Sequence, residues 1–310
     1  GEGFVREWVE GESIGSRINR SDELASARAG LAGECGRALA RIHAIDLDST
    51  GLNDALHEVD PAEEVRQTWE RYKGFHSPQP MIDFTARWLL DHLPPDGESA
   101  LVHGDFRNGN LLVAPTGMAA VLDWEIAHIG DPMRDLGWLC TASWRFGHPE
   151  KPVGGFGSYE DLFAGYEAES GRAVDPAHVR FWEVFGSFWW SVGCLGMADQ
   201  YRSGPDRSVE RAAIGRRSSE CQVDCVNLLI SGPVVGVVRE GGDDGLDLPR
   251  VDELLESVSG YLRSEVVPAM DGRTGFLARV AANSLDIVGR EMEYGAEARR
   301  LEANRLRNLL

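Results

Sequence analysis

Apolar residues recur along most of the chain with the period of an amphipathic helix. The first such segment follows Ser21, a residue type that often caps helix N-termini, and Asp22 and Glu23 would occupy its first turn. Five of its apolar residues share one helix face: Leu24, Leu31, Cys35, Leu39 and Ile42. Two more helices are predicted between residues 60 and 93, separated by a proline-rich turn at 77–80. These patterns predict a predominantly helical core.

The period changes between residues 100 and 123, where short apolar runs replace the helical spacing. The runs at 111–113 and 119–122 are joined by the turn-forming residues 114–117, which predicts a β-hairpin. Near the N-terminus, residues 4–9 alternate like a strand and end in a turn at 10–12. We therefore expect an α+β fold that is predominantly α-helical and contains a small β element.

Helical patterns resume after residue 158, where Ser158 predicts one N-cap and Asp175 followed by Pro176 predicts another. The second of these helices is rich in tryptophan, and core packing is expected for one face of it: Trp182, Phe185, Trp189 and Val192. A further helix is predicted over residues 206–231. Beyond it lies a stretch rich in glycine and aspartate that has the composition of a linker.

The domain organisation predicted from these patterns has three parts. Residues 1–232 form the main domain, residues 233–248 a linker, and residues 249–310 a helical accessory domain with amphipathic helices at 251–266 and 276–288. The accessory domain is small for an independent core. We expect it to dock on the main domain or to form a homodimer through its helices.

Composition limits the partners of the chain. Its 310 residues include 31 Lys+Arg and 50 Asp+Glu, and the net charge of -19 would repel nucleic acids and anionic membranes. An acidic surface could attract cationic substrates, but it usually serves solubility. The sequence shows neither a long apolar run nor a signal peptide, so a cytoplasmic location is expected. The five cysteines are expected to be reduced and buried.

The candidate chemistry lies around the predicted hairpin. Asp105 and Asn110 sit on one tight loop with Gly104 and Gly109, and Asp123 ends the returning strand, so the three polar side chains can converge. A carboxylate and an amide oxygen, with water and phosphate in the other positions, are typical ligands of Mg²⁺ in phosphoryl transfer. In the kinase template the loop Asp orients the substrate hydroxyl, and the loop Asn and strand-end Asp hold the metal. His103 is expected to hydrogen-bond the loop backbone.

Three segments together resemble the signature blocks of the aminoglycoside phosphotransferase and choline kinase superfamily: His103–Asn110, Leu122–Glu125 and Ile129–Gly137. They most resemble the phosphotransferase branch that is also fused to some acyl-CoA dehydrogenases. The resemblance covers about residues 1–232 and implies a protein-kinase-like C-terminal lobe. It implies an ATP-dependent transfer of phosphate to a hydroxyl group of a small molecule, with Mg²⁺ and ATP as cofactors. The tail resembles an uncharacterised helical domain that accompanies such phosphotransferases.

The resemblance also implies roles for individual residues. Asp105 would be the catalytic base, and Asn110 and Asp123 the magnesium ligands. The segment 4–11 resembles the hinge between kinase lobes, so Arg6, Glu7 and Trp8 are candidates for contacts with the nucleotide. The candidate supporting residues are His103, Arg107, Glu125 and Asp135.

Two of these assignments leave alternatives open. Asp135 would brace the catalytic loop, or it would form a cap and turn pair with Asp131 around Pro132. Arg107 would face phosphate or pair with an acid. The tryptophan-rich helix near 182–190 could also line an apolar part of the acceptor pocket.

The sequence departs from the kinase pattern in one respect. A kinase needs a glycine-rich loop over the phosphates and a lysine paired with a helix glutamate, and neither Lys73 nor Lys151 lies in a suitable strand. We expect that the sequence is a piece of an ordinary kinase without its N-terminal lobe, and that this piece alone is inactive. The alternative is a non-catalytic binding or regulatory module. A metal-dependent hydrolase built on His103, Asp105 and Asp123 is a weaker alternative.

Overall fold

The computed structural model describes residues 8–95, 97–232, 249 and 251–309. It divides into two compact units. The first unit comprises Gly1–Gly193 and Ser218–Leu229, and the second comprises Cys194–Arg217 and Ile230–Leu310. Residues 194–217, which the sequence patterns place in the main domain, therefore belong to the same compact unit as the C-terminal segment. The predicted linker 233–248 lies outside the described residues, and the predicted domain boundaries stay a prediction.

Eleven helices run from the N-terminal part of the described chain to residue 229. They are α1 Gly15–Arg20, α2 Ala25–His43, α3 Leu47–Thr50, α4 Leu52–Ala55, α5 Pro61–Lys73, α6 Pro80–Asp91, α7 Met133–Cys140, α8 Tyr159–Ser170, α9 Pro176–Ser203, α10 Val209–Arg216 and α11 Ser218–Leu229. A 3₁₀ turn, Ala142–Trp144, follows α7. The predominantly helical α+β architecture predicted from the sequence is confirmed.

The predicted start of the first long helix was wrong. The backbone N–H of Ser21 donates to the Arg17 carbonyl and closes α1, so Ser21 ends one helix and does not begin the next. Helix α2 begins at Ala25 after Leu24, whose side chain cannot cap it. The single helix predicted over 206–231 is likewise two helices, because the helical hydrogen bonds are interrupted at Arg217 between α10 and α11.

The apolar faces pack as the patterns predict. All five apolar residues of the α2 face are at most 9% exposed. Asp60 caps α5 ahead of Pro61, and Ser158 caps α8 by accepting a hydrogen bond from the backbone of Asp161. In α9, Trp182 and Phe185 are 2% and 0% exposed, which places that face in the core.

Within the described ranges, four short strands form two antiparallel pairs: β1 Ala100–Val102, β2 Leu111–Ala114, β3 Gly117–Val121 and β4 His128–Gly130. The hairpin β2–β3 predicted from the sequence is present, with Leu111 opposite Val121. Strand β4 was not predicted, because three residues carry too little periodicity, and it pairs with β1. The two pairs hold the loops 103–110 and 122–127 side by side.

Helices α2 and α8 cross at very short distance because glycines lie at the crossing. A Cβ atom on Gly36 would lie 2.2 Å from the carbonyl oxygen of Leu162, and one on Gly165 would lie 2.2 Å from the carbonyl oxygen of Gly33. Contacts this short leave no room for any side chain. The close packing of the two helices therefore requires glycine at both positions.

In the second unit, the C-terminal segment is helical, as predicted. It contains α12 Val251–Tyr261, a π-helical turn at Leu262–Val266, α13 Val267–Ala269 and α14 Gly272–Leu309. The Ser259 hydroxyl is buried and donates to Asp286 at 2.8 Å, which joins α12 to α14. One face of α12 exposes apolar side chains: Val251, Leu254, Val258 and Tyr261. The expected homodimer stays a prediction.

Among the helices of the described residues, none is both long and apolar enough to cross a bilayer.

Candidate functional site

The loop between β1 and β2 carries the motif His103–Asn110. Gly104 and Gly109 have φ values of 84° and 106°, a left-handed conformation that side chains disfavour. A Cβ atom on Gly104 would lie 2.8 Å from the carbonyl oxygen of Ile126. The loop can therefore approach the segment after β3 only because this residue is glycine.

The carboxylate of Asp105 is held by three hydrogen-bond donors. Its Oδ1 accepts from Arg107 Nε at 2.8 Å and from Trp138 Nε1 at 2.8 Å. Its Oδ2 accepts from Asn110 Nδ2 at 2.7 Å. A carboxylate offers about four acceptor positions, so about one position on Oδ2 stays open for a further donor. The Asp105 side chain is 18% exposed, so it is not sealed off from solvent.

Asn110 uses its amide nitrogen for Asp105, donating to both the carbonyl and Oδ2 of that residue. Its Oδ1 accepts no hydrogen bond from the residues that the structure describes. The carbonyl of Asn110 accepts the backbone N–H of Leu122 at 2.8 Å, which brings the end of β3 against the loop. Asp123 follows directly and is exposed, with the unusual φ of 65°. Strained backbone of this kind occurs often at functional sites.

His103 connects the same two segments. Its Nδ1 accepts the backbone N–H of Asp105 at 3.2 Å, so Nε2 carries the proton and donates to the carbonyl of Leu122 at 2.9 Å. The ring is fully buried, and Trp124 lies with its centroid 4.5 Å away. The neutral ring thus fixes the distance between the loop and the end of β3.

Two adjacent residues of α7 hold the loop backbone. Asp135 accepts the backbone N–H groups of His103 at 2.8 Å and Gly104 at 2.9 Å, and it lies 3.2 Å from His43 Nε2. Burial would raise the pKa of Asp135, but the hydrogen bond with the His43 ring and the hydrogen bond from the backbone N–H of His103 hold it below its usual value. The carboxylate therefore stays ionised inside the core.

Arg134 holds the other side of the same backbone. Its Nη1 donates to the carbonyl of Gly104 at 2.8 Å, while Nη2 and Nε bind Glu64 on α5 at 2.6 and 2.9 Å. Burial opposes the charge on Arg134, but Glu64 raises the pKa above the usual value for arginine. The pair links α5 to the loop that carries Asp105. Glu64 and Arg134 are 70 residues apart, so no local pattern could have joined them.

Asp131 makes contacts of a different kind. Its Oδ1 accepts the backbone N–H of Met133 at 2.9 Å, the cap and turn arrangement considered from the sequence. Its Oδ2 accepts from Trp182 Nε1 at 2.8 Å and pairs with His178. Asp131 therefore joins the start of α7 to α9, whereas Asp135 contacts the loop itself.

An aromatic cluster borders the carboxylate of Asp105. The indole of Trp138, which donates to Asp105, packs edge-on against Trp189 with 5.3 Å between the ring centroids. It also packs, tilted, against Trp144 with 5.5 Å between the centroids. Trp144 packs in turn against Trp190 at 5.4 Å. The prediction from the sequence included Trp189 as a packing residue but missed Trp138 and Trp144. Trp138 follows the motif at 129–137 directly, and this adjacency was the available signal.

The remaining predicted site residues are less informative. Arg6 and Glu7 lie outside the described residues, and Trp8 is 87% exposed. The backbone of Glu12 pairs with Val113 of β2, which anchors the end of the predicted hinge. Glu125 is exposed and forms no hydrogen bond or ion pair within the described ranges. Those ranges also contain no group of three or more His, Cys, Asp or Glu that could hold a metal ion.

Comparison with known families identifies the chain. Residues 2–172 match the model of the phosphotransferase enzyme family, more than half of the 310 residues. The chain belongs to this phosphotransferase family. Residues 268–310 match a domain of unknown function, DUF6285. The family resemblance read from the three sequence motifs is thereby confirmed.

Several curated relatives of this phosphotransferase-family chain are acyl-CoA dehydrogenase family proteins. It is 37% identical over 110 residues to acyl-CoA dehydrogenase family member 10 of Mus musculus, covering 34% of the chain and 10% of the relative. It is 39% identical over 105 residues to family member 11 of Gallus gallus, covering 32% and 14%. The matched segment is thus a small part of these relatives.

Solved structures show the fold of the family. A Ralstonia eutropha protein assigned to the aminoglycoside phosphotransferases superposes with a TM-score of 0.60 at 24% identity, covering 72% of this chain and 71% of that one. A choline/ethanolamine kinase family protein from Mesorhizobium loti gives a TM-score of 0.50 at 16% identity, covering 73% and 68%. The predicted kinase-like fold with a helical C-terminal region is confirmed.

Proposed function

We propose that this chain carries the catalytic loop of an ATP-dependent kinase that phosphorylates a hydroxyl group of a small molecule. The family supports a small-molecule phosphotransferase. The observation that carries the finer proposal is the state of Asp105, whose carboxylate is fixed by three donors and retains one open acceptor position on Oδ2.

Asp105 is placed to orient the acceptor. A hydroxyl group that donates to the open position of Oδ2 would have its oxygen directed for attack on the terminal phosphorus of ATP. The carboxylate cannot turn away, because Trp138 and Arg107 hold Oδ1 while Asn110 holds Oδ2. Fixed orientation of this kind supplies much of the catalysis in phosphoryl transfer.

Asn110 and Asp123 fit the role of magnesium ligands. The Oδ1 of Asn110 and the carboxylate of Asp123 are oxygen atoms that no donor occupies among the described residues, and Mg²⁺ prefers such ligands together with water and phosphate. When bound, Mg²⁺ would neutralise charge on the phosphates of ATP. The hydrogen bonds of Leu122 with Asn110 and with His103 keep Asp123 beside the loop.

The acceptor is proposed to bind next to the aromatic cluster of Trp138, Trp144, Trp189 and Trp190. The first of these indoles touches Asp105, so an acceptor that places its hydroxyl at Oδ2 lies within reach of the cluster. Aromatic walls with a few fixed polar groups are common in small-molecule sites. For the nucleotide, the backbone near Arg6, Glu7 and Trp8 remains the proposed contact.

Isothermal titration of the chain with Mg·ATP tests the proposal. We expect binding by the wild type and a loss of at least about tenfold in affinity for Asp123→Asn, since a charged ligand is removed. The matched control is Asp54→Asn, which removes an exposed carboxylate from α4 and should bind like the wild type. Equal affinity for Asp123→Asn and wild type would refute the assignment of Asp123.

A second variant separates binding from chemistry. Asp105→Asn keeps the size of the side chain but replaces one acceptor oxygen by a donor. It should bind Mg·ATP within a few-fold of wild type and, with an N-terminal kinase lobe fused ahead of residue 1, lose phosphate transfer in an ATP-consumption assay. Retained transfer would show that Asp105 is not the orienting group. Failure of the fused wild-type protein to bind nucleotide would favour a non-catalytic binding module.

A further inference from the structure

A cavity of about 650 Å³ lies within the first unit, where the starts of three helices meet. Residues from the first turns of α5, α7 and α9 line it, together with one residue of α8: Pro61, Ala62, Met133, His178 and Tyr166. Its volume falls in the range of about 300–1,000 Å³ that is typical of small-molecule sites. None of the residues that line it is a proposed catalytic residue, a magnesium ligand or a member of the aromatic cluster. The cavity is therefore separate from the site around Asp105.

The inner wall of the cavity is mostly apolar and shielded from water. Ala62 and Tyr166 are 8% and 2% exposed, and Pro132 and Met133 of the same wall are half-buried. Apolar surface of this kind favours a ligand with a hydrocarbon part, because burial of that part removes both surfaces from water. The polar groups of the lining then decide which charge the ligand carries.

The hydroxyl group of Tyr166 has an open acceptor position. The Nε2 of His43 lies 3.2 Å from the ionised carboxylate of Asp135, so in the neutral ring Nε2 carries the proton. The Nδ1 of His43 then accepts the hydroxyl proton of Tyr166 at 3.1 Å. Burial raises the pKa of Tyr166 to about 12, so this hydroxyl stays protonated. Its oxygen accepts no hydrogen bond from the residues that the structure describes.

Asp131 and His178 add two further acceptors to the lining. The Oδ1 of Asp131 accepts the backbone N–H of Met133 and has one position left. The Oδ2 of Asp131 pairs with Nε2 of His178. In the neutral ring of His178, Nε2 donates to Asp131 and Nδ1 is an acceptor, to which nothing in the described part of the chain donates. Three acceptors on Tyr166, Asp131 and His178 therefore belong to one cavity.

The side-chain donors of the lining are engaged, and its charge is negative. At the rim, Arg172 pairs with Glu98 at 2.7 Å, and the Ser99 hydroxyl donates to Glu58 at 2.8 Å. Against this one guanidinium the lining has five carboxylates: Glu58, Asp60, Glu98, Asp131 and Asp175. A negative lining attracts cations and repels anions.

We propose that this cavity is a binding site for a small organic cation, an ammonium group carried on an apolar frame. An ammonium group has three N–H donors and no acceptor. Its donors match the open positions on Tyr166, Asp131 and His178, and its charge matches the carboxylates of the lining. The frame packs on the apolar wall that includes Met133. The proposal concerns a second site, so it holds whether or not the chain binds nucleotide.

Three probes with the same cyclohexane ring test the charge preference: cyclohexylammonium, cyclohexanol and cyclohexanecarboxylate. Each is titrated into the full chain at neutral pH, and its dissociation constant is measured from the NMR signals of the probe. We expect cyclohexylammonium to bind about tenfold or more tightly than cyclohexanol, because charge-assisted hydrogen bonds are added. Cyclohexanecarboxylate should bind most weakly, because the lining repels its charge.

Matched variants locate the binding. Ala173 is exposed and lines the cavity, so Ala173→Trp should fill it and abolish binding of cyclohexylammonium. Ala177 is also exposed but does not line the cavity, and Ala177→Trp should bind like the wild type. Tyr166→Phe keeps the aromatic ring and removes the acceptor oxygen, so it should weaken cyclohexylammonium by about threefold or more. Tryptophan fluorescence melts establish that each variant is folded before titration.

Each outcome decides the proposal. If cyclohexanol binds as tightly as cyclohexylammonium, the polar groups of the cavity do not select a cation and the proposal is overturned. If Ala173→Trp binds cyclohexylammonium like the wild type, the cation binds elsewhere on the acidic surface, and the proposal is again overturned. Absence of binding to the wild type has the same consequence. A cation preference that Ala173→Trp abolishes and Ala177→Trp retains supports the site.

Discussion

The crossing of α2 and α8 allows a stability prediction whose sign depends on the tertiary structure. Gly30 and Gly36 both lie inside α2. Helix propensity alone predicts that alanine at either position stabilises the helix by about 0.5–1 kcal/mol. A Cβ atom on Gly30 would meet nothing within 4 Å, so Gly30→Ala should show this gain.

Gly36→Ala should have the opposite effect. Its Cβ atom would lie 2.2 Å from the carbonyl oxygen of Leu162 and 2.7 Å from the backbone nitrogen of Tyr166. Favourable contacts are near 3.5 Å, so α8 would have to move by more than about 1 Å, and a backbone cannot rotate away as a side chain can. Overpacking costs about 1–3 kcal/mol or more, and two contacts with backbone atoms place this site at the upper end of that range. After subtraction of the propensity gain of up to about 1 kcal/mol, we expect the free energy of unfolding to fall by about 2 kcal/mol.

Unfolding in urea followed by tryptophan fluorescence measures this effect in the first unit, because all nine tryptophans lie between residues 8 and 190. For a unit of this size, 2 kcal/mol also corresponds to a fall in Tm of about 4–8 °C. A Gly36→Ala protein more stable than the wild type would refute the close helix crossing. Equal destabilisation by both variants would instead refute the propensity argument.

Three further predictions concern buried groups. Arg134→Met should lower the free energy of unfolding in urea by about 3–5 kcal/mol, because it leaves Glu64 unpaired. Adding Glu64→Met should recover much of this loss. Equal stability of the single and double variants would contradict the importance of the pair. The pKa of Asp135 is lowered in the folded protein, so its ionised carboxylate stabilises the folded state. This stabilisation should be complete above about pH 4–5 and should be lost as the pH falls further. Asp135→Asn should therefore flatten the dependence of unfolding free energy on acid pH, whereas Asp54→Asn should not. Burial raises the pKa of the Cys225 thiol to about 12, and all five cysteines are buried thiols. A thiol reagent at pH 8 should therefore label none before unfolding and five afterwards. Rapid labelling of the native protein would contradict the burial.

Sequence patterns predicted most of the elements that surround the site. The hairpin β2–β3, the capped start of α8 and the buried face of α2 follow from local periodicity and capping residues. Strand β4 could not be predicted, since its three residues become a strand only by pairing with β1. The break at Arg217 and the position of Ser21 at the end of α1 are seen only in the backbone hydrogen bonds of the folded chain.

The family and the candidate loop were determined by the sequence alone, because Asp105, Asn110 and their two glycines lie within a few residues of each other. What decides how that loop is held comes from distant parts of the chain. Trp138 and Asp135 are 33 and 32 residues from the loop groups that they bind, and Glu64 is 70 residues from Arg134. Side chains this far apart show no common period, so only the packing of α5 and α7 against the loop reveals them. The same packing orients Asp105, and this feature carries the proposed function.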